Sequence, residues 1–321
     1  MMYAMALILD AVPRVTPLIR RRQLAQLDVR PPLGDYLRGI WRFRSFLWLL
    51  AVSKAEKINQ RGSRGTFWNI TDPLMIATRF ILLFALVFPD REQANTIAFI
   101  TIGIFTWEFW ESFIMKSFKL LKQNERLISS HSFPHAIVVI ADALAEALNF
   151  RYTLLVMFFV VLISGFFPYM VPMLPNFAWI GVIPALLLIV IWGFGAACIA
   201  ARIGTKLPHL RRFLALPLMF LRVSSGVMFA VNRFVPIVGQ TTVDIIQLLP
   251  GGVYVYLMRS VLLQDPLFPP SLTMWVLGVF WAISSLYLGI TVFWQGEPDY
   301  GKEARQLAPD SLIVADAEDW V

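Results

Sequence analysis

The chain has 321 residues, 58% of them hydrophobic and only 15% charged, with a mean hydropathy of +0.65. Soluble domains carry roughly 25% charged residues, so this composition excludes an ordinary soluble enzyme or binding module and points to an integral membrane protein. The net charge of +7 would suggest a nucleic-acid partner in a soluble chain; here topology accounts for it, and no nucleic acid is expected.

Residues 1–33 hold Pro13, Pro17, Pro31, Pro32 and several arginines, and read as a basic N-terminal arm. Their apolar opening precedes the arginines, the reverse of a secretory leader, so no signal peptide is expected. Residues 34–60 are too charged to span. Arg38, Arg42 and Arg44 alternate with Trp41, Phe43, Phe46 and Trp48, which predicts an amphipathic helix at the membrane surface or one packed on the loops beneath.

A helical span needs about 20 mostly apolar residues. Six candidates follow, at 73–88, 94–115, 136–166, 177–201, 214–234 and 272–294. The third is long enough for one tilted or kinked helix, or for a helix broken near Asn149–Arg151. Arg79 lies inside the first span. Glu108 and Glu111 share a face of the second, and Asp142, Glu146 and Asn149 share a face of the third. A charge at the bilayer centre costs about 2.5–3.5 kcal/mol on insertion scales, so these polar stripes should face one another, a partner subunit or water. Arg79 is expected to pair with a carboxylate of a neighbouring span. Structural salt bridges explain the same charges without function.

Between the fifth and sixth spans, residues 235–271 are too hydrophobic for a free loop and hold Pro236, Pro250, Gly251, Gly252, Pro266, Pro269 and Pro270. Two short helices dipping back into the membrane fit this stretch, with a seventh span through Val243–Leu263 as the rival. Residues 295–321 form an acidic tail. Within it, Gly296–Glu303 nearly spells a phosphate-binding loop but ends in Glu303 where a hydroxyl is needed, so no nucleotide site is expected. His131 and His135 have metal-compatible spacing, but Pro134 interrupts them and no third ligand is near, so no metal is expected. The single cysteine, Cys198, allows no intrachain disulfide.

Charge sets the orientation. Residues 1–72 contain more than twice as many basic as acidic residues. The loop after the second span carries Lys116, Lys119, Lys122 and Arg126 against Glu125; the loop after the fourth carries Arg202, Lys206, Arg211 and Arg212. The remaining connections are nearly neutral. The positive-inside bias therefore predicts both termini in the cytoplasm. Trp107, Trp110, Tyr152, Phe220, Tyr287 and Trp294 are candidate stacking faces for sugar rings, although most aromatics in membrane helices face lipid or form interfacial belts.

Three local patterns carry a family resemblance. Tyr36–Pro73 combines an aromatic–arginine helix with Arg61, Gly65, Trp68 and Pro73. The second holds Trp107, Phe109, Trp110, Glu111, Asn124, Leu127, Ile128, Phe133 and Pro134. The third is QLLPGGVYVYLMRSVLL, with Pro250 and Arg259. Over residues 36–300 the chain resembles the permease subunit of ABC-2-type exporters, in the polysaccharide and polyol-phosphate export branch. That resemblance implies an all-α fold of six transmembrane helices. It also implies a homodimer working with two cytoplasmic ATPase subunits, ATP and magnesium residing on those partners and no cofactor on this chain. The cargo would be a lipid-linked polysaccharide, the location a bacterial inner membrane.

Residues 116–134 would be the coupling helix, with Lys119, Lys122, Asn124, Glu125, Arg126, Leu127, Ile128, Phe133 and Pro134 meeting the ATPase. Arg79, Trp107, Glu108, Trp110, Glu111, Asp142, Glu146, Tyr152, Phe220 and Tyr287 would line the path or form a buried polar network, and Pro250 and Arg259 would mark a re-entrant gate. Two other readings are a permease for small hydrophobic compounds or lipids and a membrane-embedded glycosyl or acyl transferase using the paired carboxylates.

Overall fold

The computed structural model describes residues 32–59, 65–87, 96–130, 133–166, 174–207, 209–228, 231, 235–263, 265–298 and 300. All regular structure among them is helical. The helices are α1 Leu33–Arg42, α2 Arg44–Asn59, α3 Gly65–Val87, α4 Thr96–Ser117, α5 Leu120–Gln123, α6 Glu125–Ser130, α7 Ala136–Ser164, α8 Val182–Lys206, α9 Leu210–Ser224, α10 Gln240–Leu248, α11 Pro250–Leu262 and α12 Leu272–Gln295. The basic arm, most of the acidic tail, and the expectations for His131, Arg61 and Gly301–Glu303 lie outside the described residues.

Four helices are long and apolar enough to cross a membrane: α4, α7, α8 with the 3₁₀ turn Phe177–Gly181 ahead of it, and α12. They match the second, third, fourth and sixth expected spans. The third is one unbroken helix of 29 residues, which settles the alternative of a break near Asn149–Arg151. The first expected span falls in α3, a 23-residue helix that starts eight residues earlier than Pro73 and runs through it. The fifth is not one continuous helix: α9 ends at Ser224, because Gly226 takes φ 76, a left-handed conformation that only glycine adopts cheaply.

α4 is the hub. Its residues from Ala98 to Trp107 are all buried, and α7, α8 and α11 pack around it. The tightest helix pair is α8 with α12, where Gly195 and Gly289 let the backbones touch; a Cβ on either glycine would strike the other helix's main chain. Small residues serve this purpose in membrane helices, where dispersion contacts drive association. The Ser285 hydroxyl crosses the same seam to donate to the Trp192 carbonyl at 2.9 Å.

Using α4 as a depth gauge places the other elements. Lys116, in its last turn, meets Glu146 of α7 at 2.6 Å. The ten residues of α7 before Glu146 therefore project past the Ser117 end of α4. From Glu146 to Ser164 the helix rises about 28 Å at 1.5 Å per residue, close to the roughly 30 Å of a hydrocarbon core. Asp142 and Glu146, expected inside the bilayer, thus sit at or beyond its edge. The continuous apolar periodicity from Ala136 hid that boundary.

α10 and α11 are bent by 83° at Leu249–Pro250. Gly251 packs on the Trp107 ring, halfway along α4, while Val261 touches Gly181 at the start of α8. α11 has 13 residues, about 20 Å, and so reaches only from mid-depth to the Thr96 end. No straight span runs through Val243–Leu263. Non-helical backbone at that depth is tolerated where protein covers it, and α11 is buried along nearly its whole length.

Candidate functional site

Three polar assemblies stack along α4. At its Ser117 end the chain leaves the membrane through two short helices, not the single coupling helix expected over 116–134. Asn124 breaks them: its side-chain amide donates to the Leu120 carbonyl at 2.8 Å, and its own carbonyl accepts from Leu127 and Ile128 at 3.0 Å each. Asn124 is therefore occupied as an internal cap. Ile128 is buried and Leu127 packs against the core, so the apolar pair faces the membrane domain. Lys119 and Lys122 are exposed and Glu125 half-buried. The Arg126 side chain lies outside the described residues. Phe133 is buried against Phe46 of α2, ring centroids 5.5 Å apart, and Pro134 packs on Gly39 of α1.

Glu297, just past α12, ties this region together. Its carboxylate accepts from the Tyr36 hydroxyl at 2.8 Å and from the His135 backbone N–H at 2.8 Å, with His135 Nδ1 at 2.9 Å. Burial, and then the negative charge of Glu297, push the Tyr36 phenol far above its ordinary range, so it stays protonated and donates. Lys54 of α2 pairs with Asp142 at 3.1 Å; burial lowers its pKa, opposed by the neighbouring carboxylate.

Nearer mid-depth lies the second assembly. Glu111 accepts from the Trp107 indole N–H at 2.9 Å and pairs with Arg222 of α9. Glu108 is half-buried, with Arg222 and Arg79 as its electrostatic neighbours. Arg222 of α9 thus supplies the ion pair of Glu111, while Arg79 of α3 acts on Glu108 electrostatically. Trp107 and Trp110 are buried in the protomer's own core, Trp110 stacked on Trp192 at 4.6 Å, so neither presents a free face to a passing sugar. Tyr152 is half-buried beside Arg151, whose guanidinium donates to its hydroxyl at 3.0 Å. Phe220 and Tyr287 are exposed on the outside of the protomer.

The third assembly surrounds Arg259. Its side chain is 2% exposed, yet among the described residues no carboxylate pairs with it. Instead Nη1 donates to the Gly226 carbonyl at 2.6 Å, and Nη2 to those of Val227 and Phe99 at 2.7 and 3.0 Å. The guanidinium also lies over the Phe99 ring at 3.4 Å. Arg259 therefore caps the carbonyls freed where α9 stops. Pro250, the other gate residue, opens α11 at a position where its missing N–H costs nothing.

Sequence reasoning missed Arg222, Lys54, Tyr36 and Glu297. An arginine in the middle of the apolar run 214–234 was the available signal for Arg222; nothing local marks the other three.

No family model matches the chain. It is 25% identical over 186 residues to two O-antigen export system permease proteins, both named RfbA, from Klebsiella pneumoniae. The match takes in 57% of this chain and 69% of each relative. The chain resembles a polysaccharide-export permease of the ABC-2 type. That resemblance agrees with the long apolar helices.

Proposed function

We propose that this chain is the membrane permease subunit of an ABC exporter that moves a lipid-linked polysaccharide outward across the plasma membrane, with ATP hydrolysed on a separate subunit. The observation that carries this reading is the similarity to the O-antigen export system permeases. The distribution of charge supports it. Lys116, Lys119, Lys122, Arg202, Lys206, Arg211 and Arg212 all gather at the Ser117 end of α4 and of α8, which makes that end cytoplasmic by the positive-inside bias. Both termini then lie inside. In this reading α3 and the broken segment from α9 onward complete six crossings, two copies pair in the membrane, and the exposed faces carrying Phe220 and Tyr287 meet lipid or the second copy.

Residues 116–134 would receive the ATPase. Their two short helices sit between α4 and α7, and Phe133 and Pro134 touch α2 and α1, so a displacement there biases four elements at once. ATP and magnesium would be held by the partner. Deleting the gene and measuring surface glycan tests the cargo: glycan accumulating on its lipid carrier inside the cell supports the reading, while normal surface glycan with altered resistance to hydrophobic compounds favours a small-molecule exporter.

A further inference from the structure

The acidic tail is a motif that the export reading leaves without a role, and the structure fixes where it starts. Glu297 is held by the Tyr36 hydroxyl of α1 and by the His135 backbone N–H at the head of α7. Beyond it, Tyr300 is 4% exposed, its ring 4.7 Å from that of Phe293 and under the Arg202 guanidinium of α8 at 5.3 Å. The tail therefore leaves the membrane domain from a packed root on the last turns of α8. That root adjoins a basic surface. Lys206 lies one turn beyond Arg202, about 6 Å along α8. Gly204, between them, packs against the Phe118 main chain, and α5 packs on α8, which places Lys119 and Lys122 at the same end of the fold. Arg212 follows in the first turn of α9. These four cations are exposed, and among the described residues none meets a carboxylate. The arginines of α1 and α2 differ: Arg38 pairs with Asp35 at 3.0 Å, and Arg44 lies over the Trp41 ring at 5.3 Å.

We propose that residues 310–319 of the tail dock on this basic surface of their own chain. Their composition matches it. Asp310, Asp316, Glu318 and Asp319 carry the negative charge, and residues 306–321 hold no lysine or arginine to offset it. The acids bracket an apolar run, Leu312 to Val314, and the surface offers an apolar partner between its cations in Leu207, which is 57% exposed. Reach is ample, because the stretch from Tyr300 to Asp316 spans up to about 50 Å when extended. Complementary charge steers such a contact and sets its register, and an acidic block of this kind serves as an interaction tail. Docked there, the tail masks Lys119 and Lys122 from any other acidic partner. The contact rests on the chain alone and not on the export reading.

The test is disulfide trapping in the full chain, purified in detergent and oxidised with copper phenanthroline. Ala317→Cys in the tail is combined with Lys206→Cys on the surface, or with Arg38→Cys on α1 as the reference. Cys198 is buried and stays out of the reaction. The Lys206→Cys pair should link within one chain about tenfold faster than the Arg38→Cys pair, read by non-reducing electrophoresis and peptide mass spectrometry. The preference should vanish in 1 M salt, where the Debye length falls to about 3 Å. It should vanish too when the tail acids are neutralised by Asp310→Asn, Asp316→Asn, Glu318→Gln and Asp319→Asn, changes that leave the membrane domain untouched. Equal rates for the two pairs, a Lys206→Cys rate indifferent to salt and to neutralisation, or links formed only between two chains would overturn the contact.

Discussion

Arg222 and Arg259 are both arginines in apolar surroundings that meet α4, one at Glu111 and the other beside Gly103 eight residues earlier, yet they are solved differently. Arg222 is about one-quarter exposed and has a carboxylate partner in Glu111, itself held by the Trp107 indole. Arg259 is sealed and has only neutral oxygens and ring faces. The first is a charge pair that two separate helices bring together and can release. The second is a fixed part of the backbone, because two of the carbonyls it serves, those of Gly226 and Val227, belong to the stretch where α9 stops. Towards the Ser117 end α4 is thus met by an ion pair, and towards its Thr96 end by a clamp on backbone carbonyls.

Substitutions separate the two. Arg259→Met should be the most damaging, since it strands the Gly226 and Val227 carbonyls at about 1–3 kcal/mol each. Thermal unfolding in detergent should show little folded protein, and a Tm within a few degrees of wild type would refute the clamp. Arg222→Met should cost less, about 1–3 kcal/mol, because water reaches the pair and screens it. Here a double variant, Arg222→Met with Glu111→Leu, should recover much of the loss, as the Arg259 site cannot. Gly289→Leu should cost a similar 1–3 kcal/mol by forcing α12 off Gly195, read as a lower Tm with α4 contacts intact.

The smallest effect is that of pH on Lys54. Its folded-state pKa lies below the ordinary 10.5, so in the alkaline range just under that value the unfolded chain binds the extra proton. Stability should therefore rise with pH through that window, and Lys54→Met should flatten the rise in a Tm-against-pH series.

Much of this was legible in the sequence. Four long apolar helices overlap the runs that hydropathy marks, α8 running on to Lys206, because a run of about 20 apolar residues has few other ways to satisfy its backbone. The hairpin at 235–271 was signalled by Pro250 and the glycines behind it. What failed was anything that needs two elements at once. Asp142 and Glu146 read as intramembrane because α7 stays apolar on both sides of the bilayer edge; only Lys54 and Lys116 mark that edge. Trp107 and Trp110 read as candidate stacking faces, but a helix sequence does not say whether an aromatic meets protein or a path, and α8 and α11 cover them. The fifth span read as continuous because hydropathy is blind to φ, and Gly226 ends it.

The proposal that this chain is a conduit driven from outside itself is tested most directly by purifying it from its native membrane and assaying ATP hydrolysis. An ATP-hydrolysing subunit should copurify, and replacing the exposed Lys119 and Lys122 with glutamate should release it while the membrane domain stays folded. Transport of a glycan by the chain alone, with no nucleotide-hydrolysing partner bound, would contradict it.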